Sequence, residues 1–389
     1  MALFGEMLRH LRLQRGMSLA ELGRAVHYNK GYLSRIETSQ RVVSEPLARL
    51  CDEVLGARGD LIAAANLDIT AAQDTKPSHT SELLRRIQAS DITGASLTSL
   101  HAMVYELCCQ YPYRNATDLR DEAHDWLREV ARTLRQPVGL SQHRELLVAA
   151  GWLALLVGCL EYDLGLRASA EATRVAALQL GNEAGATEIV GWTYEMAAWF
   201  ALTQGRYQNA IDAVAAGQLA DKGHSVTAQL AGQEAKSLAR VGRVHEMHQA
   251  LDRGRAILDG LPYPQRTEHH FVVDPEKWDF YAMDACRMAG DDQAAAEYAR
   301  AVLSRGTGVD GVDRWPMRMA EARLTLAVVA ARSGNLEQAR DLGVAALGGD
   351  RQSLPSLLMV AGELDGELER RYPNEGATEE FRAAIRALR

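Results

Sequence analysis

Five glycines set the folding problem for most of this chain. Gly165, Gly205, Gly242, Gly290 and Gly334 recur at spacings of 40, 37, 48 and 44 residues. Five residues after each stands a small or apolar side chain: Ala170, Ala210, Met247, Ala295 and Ala339. Seven residues before each stand Gly158, Ala198, Ala235, Met283 and Ala327, four of the five small. The pattern from Glu82 onward is helical, with nothing that reads as a strand. Each unit is therefore expected to be a helix, a tight turn at the glycine, and a second helix starting two residues later. Small side chains at the −7 and +5 positions let the two helices approach closely. Such a unit buries its apolar face only by stacking on the next. A less regular pair, Leu97–Gln110 and Asp118–Leu134, is expected ahead of the five units, and Leu354–Leu388 is expected to cap them.

Composition narrows the class. With 389 residues, 47% hydrophobic and 24% charged, the chain is long enough for two or more domains and too apolar for disorder. Its longest uncharged apolar run, Leu146–Leu160, is shorter than the ~20 residues of a spanning helix and reads as a buried core helix. Glu6, Arg9, His10 and Arg12 interrupt the start before a signal-peptide core could form, so a cytoplasmic protein with no membrane partner is expected. The five cysteines (Cys51, Cys108, Cys109, Cys159 and Cys286) form no CxxC pair and read as small buried hydrophobes.

Charge is unevenly divided. Residues 1–65 carry nine Lys and Arg against seven Asp and Glu, leaving 34 against 44 for the rest. The window 9–41 alone has seven basic residues and two acids. A compact basic patch on an acidic protein attracts phosphate. The same segment divides into five short helices. Phe4, Leu8 and Leu11 make the first stripe, ended by Gly16. Ser18 and Glu21 form a capping box for a second helix, with Leu19, Leu22 and Val26 inside. After a turn at His27-Tyr28, Asn29 caps a third helix, Lys30–Thr38. Ser44-Glu45-Pro46 opens a fourth, with Pro in its first turn. The fifth is expected over Arg58–Ala65. Burying Leu22 and Val26 against Leu33 and Ile36 leaves Lys30, Gly31, Ser34 and Arg35 on the outer face of the third helix, a geometry that fits a DNA major groove.

Leu19-Ala-Glu-Leu22, Tyr32-Leu-Ser-Arg-Ile-Glu37 and Pro46-x2-Arg49-Leu50-Cys51-x2-Leu55-Gly56 resemble the xenobiotic-response-element family of helix-turn-helix proteins, similar to phage repressors. The resemblance implies an N-terminal five-helix domain over residues 1–65 that binds double-stranded operator DNA as a homodimer. By it Lys30, Ser34 and Arg35 face base edges, with Arg35 suited to the O6 and N7 of guanine. Asn29 and Arg41 bind phosphate, helped by Arg9, Arg12 or Arg15. Two departures stand out: His27-Tyr28 replaces the usual Gly-Val or Gly-Ile turn, and Gly31 replaces a polar base-reading side chain, which reduces direct base contacts. Glu37 is expected to be structural, paired with a basic residue.

The glycine-centred units, most clearly Gly205-Arg-Tyr-Gln-Asn-Ala210 and Gly334-Asn-Leu-Glu-Gln-Ala339, resemble the tetratricopeptide repeat with lengthened helices or loops. The fold expected is thus all-α: a helix-turn-helix domain, a linker over 66–81, and a tetratricopeptide-like superhelix over 82–389. By the repeat resemblance the first helix of each unit turns inward at positions −13, −10 and −6 from its glycine. These are Trp152, Leu155 and Cys159; Trp192, Glu195 and Trp199; Gln229, Gly232 and Lys236; Lys277, Phe280 and Asp284; Glu321, Leu324 and Val328. Trp152, Trp192, Glu195, Trp199, Lys236, Phe280 and Asp284 are the candidate binding residues, an aromatic wall with a few charges suited to a peptide or small-molecule effector.

Other motifs carry less. His245-x2-His248 and His269-His270 read as solvated surface, and no metal or cofactor is expected. The segment Gly260–Pro275, with Leu261-Pro-Tyr-Pro264 and Phe271, reads as a structural or lid element. No GxxxxGK[ST], GxGxxG or GxSxG occurs, so no catalytic residue is assigned. The two-part plan resembles peptide-sensing quorum regulators and actinobacterial regulators, and 38 Arg against five Lys suits a GC-rich genome. The alternative is a DNA-anchored scaffold whose repeats hold a partner protein.

Overall fold

The computed structural model describes residues 3–39, 41, 43–74, 94–136, 138–307 and 313–388. It forms two compact units, Met1–Ser99 and Leu100–Arg389. Nineteen helices account for the described elements, and one isolated bridge between Thr307 and Asp313 is the sole β pairing among the described residues.

The first unit holds α1 (Leu3–Gln14), α2 (Leu19–Ala25), α3 (Lys30–Glu37), α4 (Glu45–Leu55) and α5 (Asp60–Asp74). Their apolar stripes meet in one core containing Phe4, Leu8, Leu22, Val26, Leu33, Ile36, Leu47, Cys51, Leu55 and Leu61. The capping box at α2 is formed: the Glu21 amide donates to Ser18 Oγ at 3.2 Å, and the Ser18 amide donates to Glu21 Oε2 at 2.8 Å. Glu37 is buried and takes two hydrogen bonds from Arg12, at 2.6 and 2.9 Å, tying α1 to α3. Arg12 also donates to the Met17 carbonyl. It is therefore a core residue and is withdrawn from the phosphate helpers. His27 takes the left-handed conformation (φ 57°) that glycine adopts without steric cost.

The fifth helix is longer than expected. It continues through residues 66–74, the first part of the segment read as linker. The cause is a capping role, since Asp68 accepts the otherwise unpaired Phe4 amide at the start of α1 at 2.9 Å. The rest of that segment, 75–81, lies outside the described residues.

The second unit is a run of helical hairpins: α6 (Gly94–Gln110) with α7 (Ala116–Thr133), α8 (Leu140–Asp163) with α9 (Arg167–Ala184), α10 (Thr187–Thr203) with α11 (Tyr207–Ala220), α12 (Val226–Arg240) with α13 (Val244–Asp259), α14 (Pro275–Ala289) with α15 (Asp292–Gly306), α16 (Pro316–Arg332) with α17 (Leu336–Leu347), and α18 (Leu354–Arg371) with α19 (Gly376–Ala387). The five repeat glycines all sit at positive φ, between 73° and 91°. In each turn the amide after the glycine donates to the carbonyl four residues before it: Leu166 to Glu161, Arg206 to Ala201, Arg243 to Leu238, Asp291 to Cys286 and Asn335 to Ala330. This six-to-one closure satisfies a helix-end carbonyl that would otherwise lack a partner. Each second helix begins two residues after its glycine. All five +5 residues, and the alanines and methionine at −7, are fully buried.

Helix α8 is long and apolar enough to cross a membrane, but 83% of its most apolar window is buried inside the unit. It is the core helix that the apolar run implied.

The array is also closed over its inner face. Arg351, in the connection before α18, donates to Asp163 Oδ2 at 2.8 Å and to the Tyr111 carbonyl at 3.1 Å, while the Tyr111 hydroxyl donates to the same Asp163 oxygen at 2.6 Å. Trp199 Nε1 donates to Ser356 Oγ of α18 at 2.8 Å. The loop before α14 packs back on α6: the His270 amide donates to the Cys108 carbonyl, and Arg266 donates to Glu106. His269 and His270 stack on Tyr105 and Tyr111, with ring centroids 4.4 and 3.7 Å apart. The expectation that this histidine pair is solvated is thus wrong. Burial pushes His269 down to about 4 and His270 well below its ordinary range.

Asp163 is fully buried, so the clasp should matter. Arg351→Met should destabilise the unit by about 3–5 kcal/mol, because it leaves a buried carboxylate without its cation. Adding Asp163→Asn should recover part of that loss in urea titrations. A loss under ~1 kcal/mol would show that the clasp does not hold the array closed.

Candidate nucleic-acid interface and a polar cavity

Helix α3 presents the outer face that the apolar pattern required. Leu33, Ile36 and Glu37 are buried, whereas Lys30, Gly31 and Arg35 are exposed and Ser34 is half-buried between them. Asn29 is the N-cap, its Oδ1 accepting the Gly31 amide at 2.7 Å. That leaves Asn29 Nδ2 as the donor for a phosphate oxygen. A Cβ on Gly31 would meet only Asn29 Oδ1, at 3.3 Å, so packing does not demand glycine there. Arg41 is exposed and lies over the Tyr32 ring at 4.8 Å, which places a cation beside the helix. Arg15 is exposed too, but its guanidinium lies where a side chain on Gly56 would stand, at the C-terminal end of α4. It meets the negative end of that helix.

In the second unit a cavity of about 110 Å³ lies on the inner face. The first helices of successive hairpins supply its walls: Glu195 and Trp199 from α10, Gln229, Gln233 and Lys236 from α12, Lys277, Phe280 and Tyr281 from α14, and Arg318 and Glu321 from α16. Tyr111, His270, Trp315, Ser353 and Ser356 complete it from the closing segments. Of the seven candidate binding residues, the structure brings Glu195, Trp199, Lys236 and Phe280 together here. Three do not line it. Trp192 is 1% exposed and packs edge-on against Phe271, in the core behind the wall. Trp152 lines a separate cavity of about 450 Å³ with Tyr105, Cys108 and Phe271. Asp284 is fully buried between Arg240 and Arg287. All three lie on inward-turning positions, but close packing covers Trp192 and Asp284, and Trp152 faces the separate cavity.

Gln233, Tyr281, Trp315, Arg318, Ser353 and Ser356 were missed. Trp315, Arg318 and Glu321 recur every three residues at the start of α16, a legible stripe one turn beyond the positions sampled. The serines are brought in by the closure and leave no sequence signal.

Polar groups in this cavity are unusually short of partners. Glu195 Oε1 accepts from Gln229 Nε2 and Gln233 Nε2, both at 2.7 Å. Lys277 Nζ donates to the His270 and Val272 carbonyls at 2.7 and 3.0 Å. Six other polar atoms of the lining residues are buried without a hydrogen-bond partner among the described residues: Gln229 Oε1, Gln233 Oε1, Trp315 Nε1, Arg318 Nη1, Glu321 Oε2 and Ser353 Oγ. Buried polar groups ordinarily find partners, because desolvating one without a partner costs about 1–3 kcal/mol. Burial raises Glu195, and it pushes Glu321 up to about 7 against the pull of Lys236. Burial, then repulsion from Arg318, pushes Lys277 down to about 7. Burial also lowers Arg318.

Residues 3–65 match a family described as a helix-turn-helix domain. No curated protein matches the chain. The first unit is therefore a helix-turn-helix DNA-binding domain, and the second is a helical-repeat-like region.

The cavity charges should mark the pH dependence of stability. Folded Glu321 holds its proton to about 7, against an ordinary value of 4.5, so its favourable contribution is complete below 4.5 and is lost as pH rises through 7. Lys277, lowered from 10.5 to about 7, acts oppositely: the folded state regains stability as pH rises from 7 towards 10.5. Thermal unfolding followed against pH should give a minimum near neutrality. Glu321→Gln should remove the decline between 4.5 and 7, an effect of roughly 1–3 kcal/mol. An unchanged acid limb in that variant would contradict the assignment.

Proposed function

We propose that this chain is a one-component transcription regulator, resembling the xenobiotic-response-element family, in which a sequence-specific helix-turn-helix answers to a signal received by tetratricopeptide-like repeats. The exposed face of α3, with Lys30, Ser34 and Arg35 outward and Arg41 beside it, carries the DNA half of the reading. In it Arg35 reads a guanine edge, while Asn29 and Arg41 fix register on phosphate. The protein acts in the cytoplasm as a homodimer, placing two reading helices on half-sites about one DNA turn apart. It has no enzymatic role. The likeness to actinobacterial and peptide-sensing regulators belongs to this reading as well.

The sensor reading is preferred over a scaffold for one structural reason. The clasp at Arg351 and the contact of Trp199 with α18 cover the inner face that a partner protein would occupy. What they leave is a small, half-open site whose lining residues carry polar atoms without partners among the described residues. The signal is then a population shift, in which an effector favours one arrangement of the repeats over another.

Sites selected from random duplexes by the full-length protein test the DNA half. Arg35→Ala should cost about 1–3 kcal/mol on the selected site and little on random DNA. Arg41→Ala should weaken all duplexes alike and flatten the salt dependence by about one unit of slope. Equal losses on selected and random duplexes for both variants would refute these roles.

A further inference from the structure

The cavity of the second unit specifies its occupant more narrowly than the sensor reading on which this inference rests. The first constraint is charge. Among the described residues Arg318, which lines the cavity, has no ion-pair partner, and its Nη1 is shut off from solvent without a hydrogen bond. Its one ring contact is the face of Trp315, at 5.2 Å. A guanidinium is seldom left so, since it presents a fork of donors that matches a carboxylate. Trp315 Nε1 and Ser353 Oγ, on side chains more than nine-tenths buried, are further donors in the same cavity without partners. Lys236 stands 4.0 Å from Asp284 and Lys277 is lowered by burial, so Arg318 is the lining cation left to favour an anionic occupant.

The second constraint is the opposite demand from α12. Gln229 and Gln233 both turn their NH₂ groups to Glu195, which leaves both carbonyl oxygens without a donor. These side chains are 4% and 3% exposed. They favour a ligand that donates as well as accepts.

Size and surface complete the description. At about 110 Å³, and open on one side, the cavity is of the order of the ~150 Å³ that takes a benzene ring, so its occupant is a single compact ring. That excludes a peptide of several residues. The rings of Trp199, Phe280 and Tyr281 give the cavity flat apolar walls, against which an aromatic body packs well.

We propose that this cavity binds a compact aromatic carboxylic acid bearing an amino or hydroxyl group on its ring, the carboxylate held by Arg318 with Trp315 and Ser353 and the ring donor held by Gln229 and Gln233.

The experiment uses the full-length protein and three probes: 2-aminobenzoate, its uncharged analogue 2-aminobenzamide, and benzoate, which lacks the ring donor. Binding is read by tryptophan fluorescence, since Trp199 and Trp315 stand in the wall, and by calorimetry. 2-Aminobenzoate should bind saturably, with the amide roughly 30-fold weaker and benzoate roughly 5–10-fold weaker. Arg318→Met should abolish the preference for acid over amide while the amide still binds, which separates loss of the anion site from loss of the fold. Equal binding of acid and amide, an undiminished preference in Arg318→Met, or no binding of either acid at millimolar concentration would overturn the proposal. DNA affinity measured in parallel distinguishes the two claims. Acid-selective binding that leaves DNA affinity unchanged upholds the site and overturns the sensor reading. Probes that change DNA affinity without occupying the cavity overturn the site alone.

Discussion

The left-handed glycine turn is the constraint from which the second unit follows. An L-residue with a Cβ in that conformation costs about 1–2 kcal/mol, and the turn recurs at Gly165, Gly205, Gly242, Gly290 and Gly334 with the same backbone closure each time. Repetition fixes more than the turns. Because each second helix starts two residues on, the phase of every first helix relative to its glycine is also fixed, and with it the face turned inward. Glu195, Gln229, Lys236, Lys277, Phe280 and Glu321 come from four different helices and reach one cavity because their distances from their own glycines agree.

The last hairpin shares an apolar core with α16 and α17, and charge then joins it to helices further back. Glu363 of α18 accepts from Arg240 of α12 and Arg287 of α14, and the same two arginines hold Asp284. Burial alone would raise Asp284, but Arg240, Lys236 and Arg287 hold it well below the usual carboxylate range. Buried ion pairs of this kind add little net stability over an apolar packing of the same shape, yet breaking one is costly. They specify where α18 docks. That docking, with the Arg351 clasp, narrows an inner face to a half-open cavity.

What the sequence made legible was local. The capping box at Ser18, the Asn29 cap and all five glycine turns are decided within a few residues, by sterics and by the need to satisfy helix ends. The closure was not legible, because Arg351 meets Asp163 and Tyr111 across 188 and 240 residues, and no spacing announces such a meeting. Three site residues were misplaced for a related reason. Trp192, Trp152 and Asp284 have the phase of the inner face, but phase gives a direction and not a depth: the loop carrying Phe271 packs on Trp192 and parts Trp152 into a separate cavity. The linker was misjudged because the polar residues after Ala65 lack a period, while one of them, Asp68, serves α1 instead of its own helix.

The cavity also carries a thermodynamic argument about what it is for. Gln229, Gln233, Trp315, Glu321 and Ser353 lose water on folding without gaining a partner for one polar atom each. Stability alone favours packed aliphatic side chains at buried positions, such as Leu153, Leu160 and Leu238 elsewhere in the array. Their desolvation is already complete in the folded chain, so a molecule that supplies the missing partners gains hydrogen bonds without stripping water from the protein side. Binding energy of that kind is specific, because an analogue lacking one group leaves a buried atom unpaired again. It also stabilises the closed arrangement over any in which α18 has withdrawn, since the site exists only while Ser353, Trp315 and the α12 glutamines surround the same space. The groups that weaken the fold are thus the ones able to make its closure depend on a ligand.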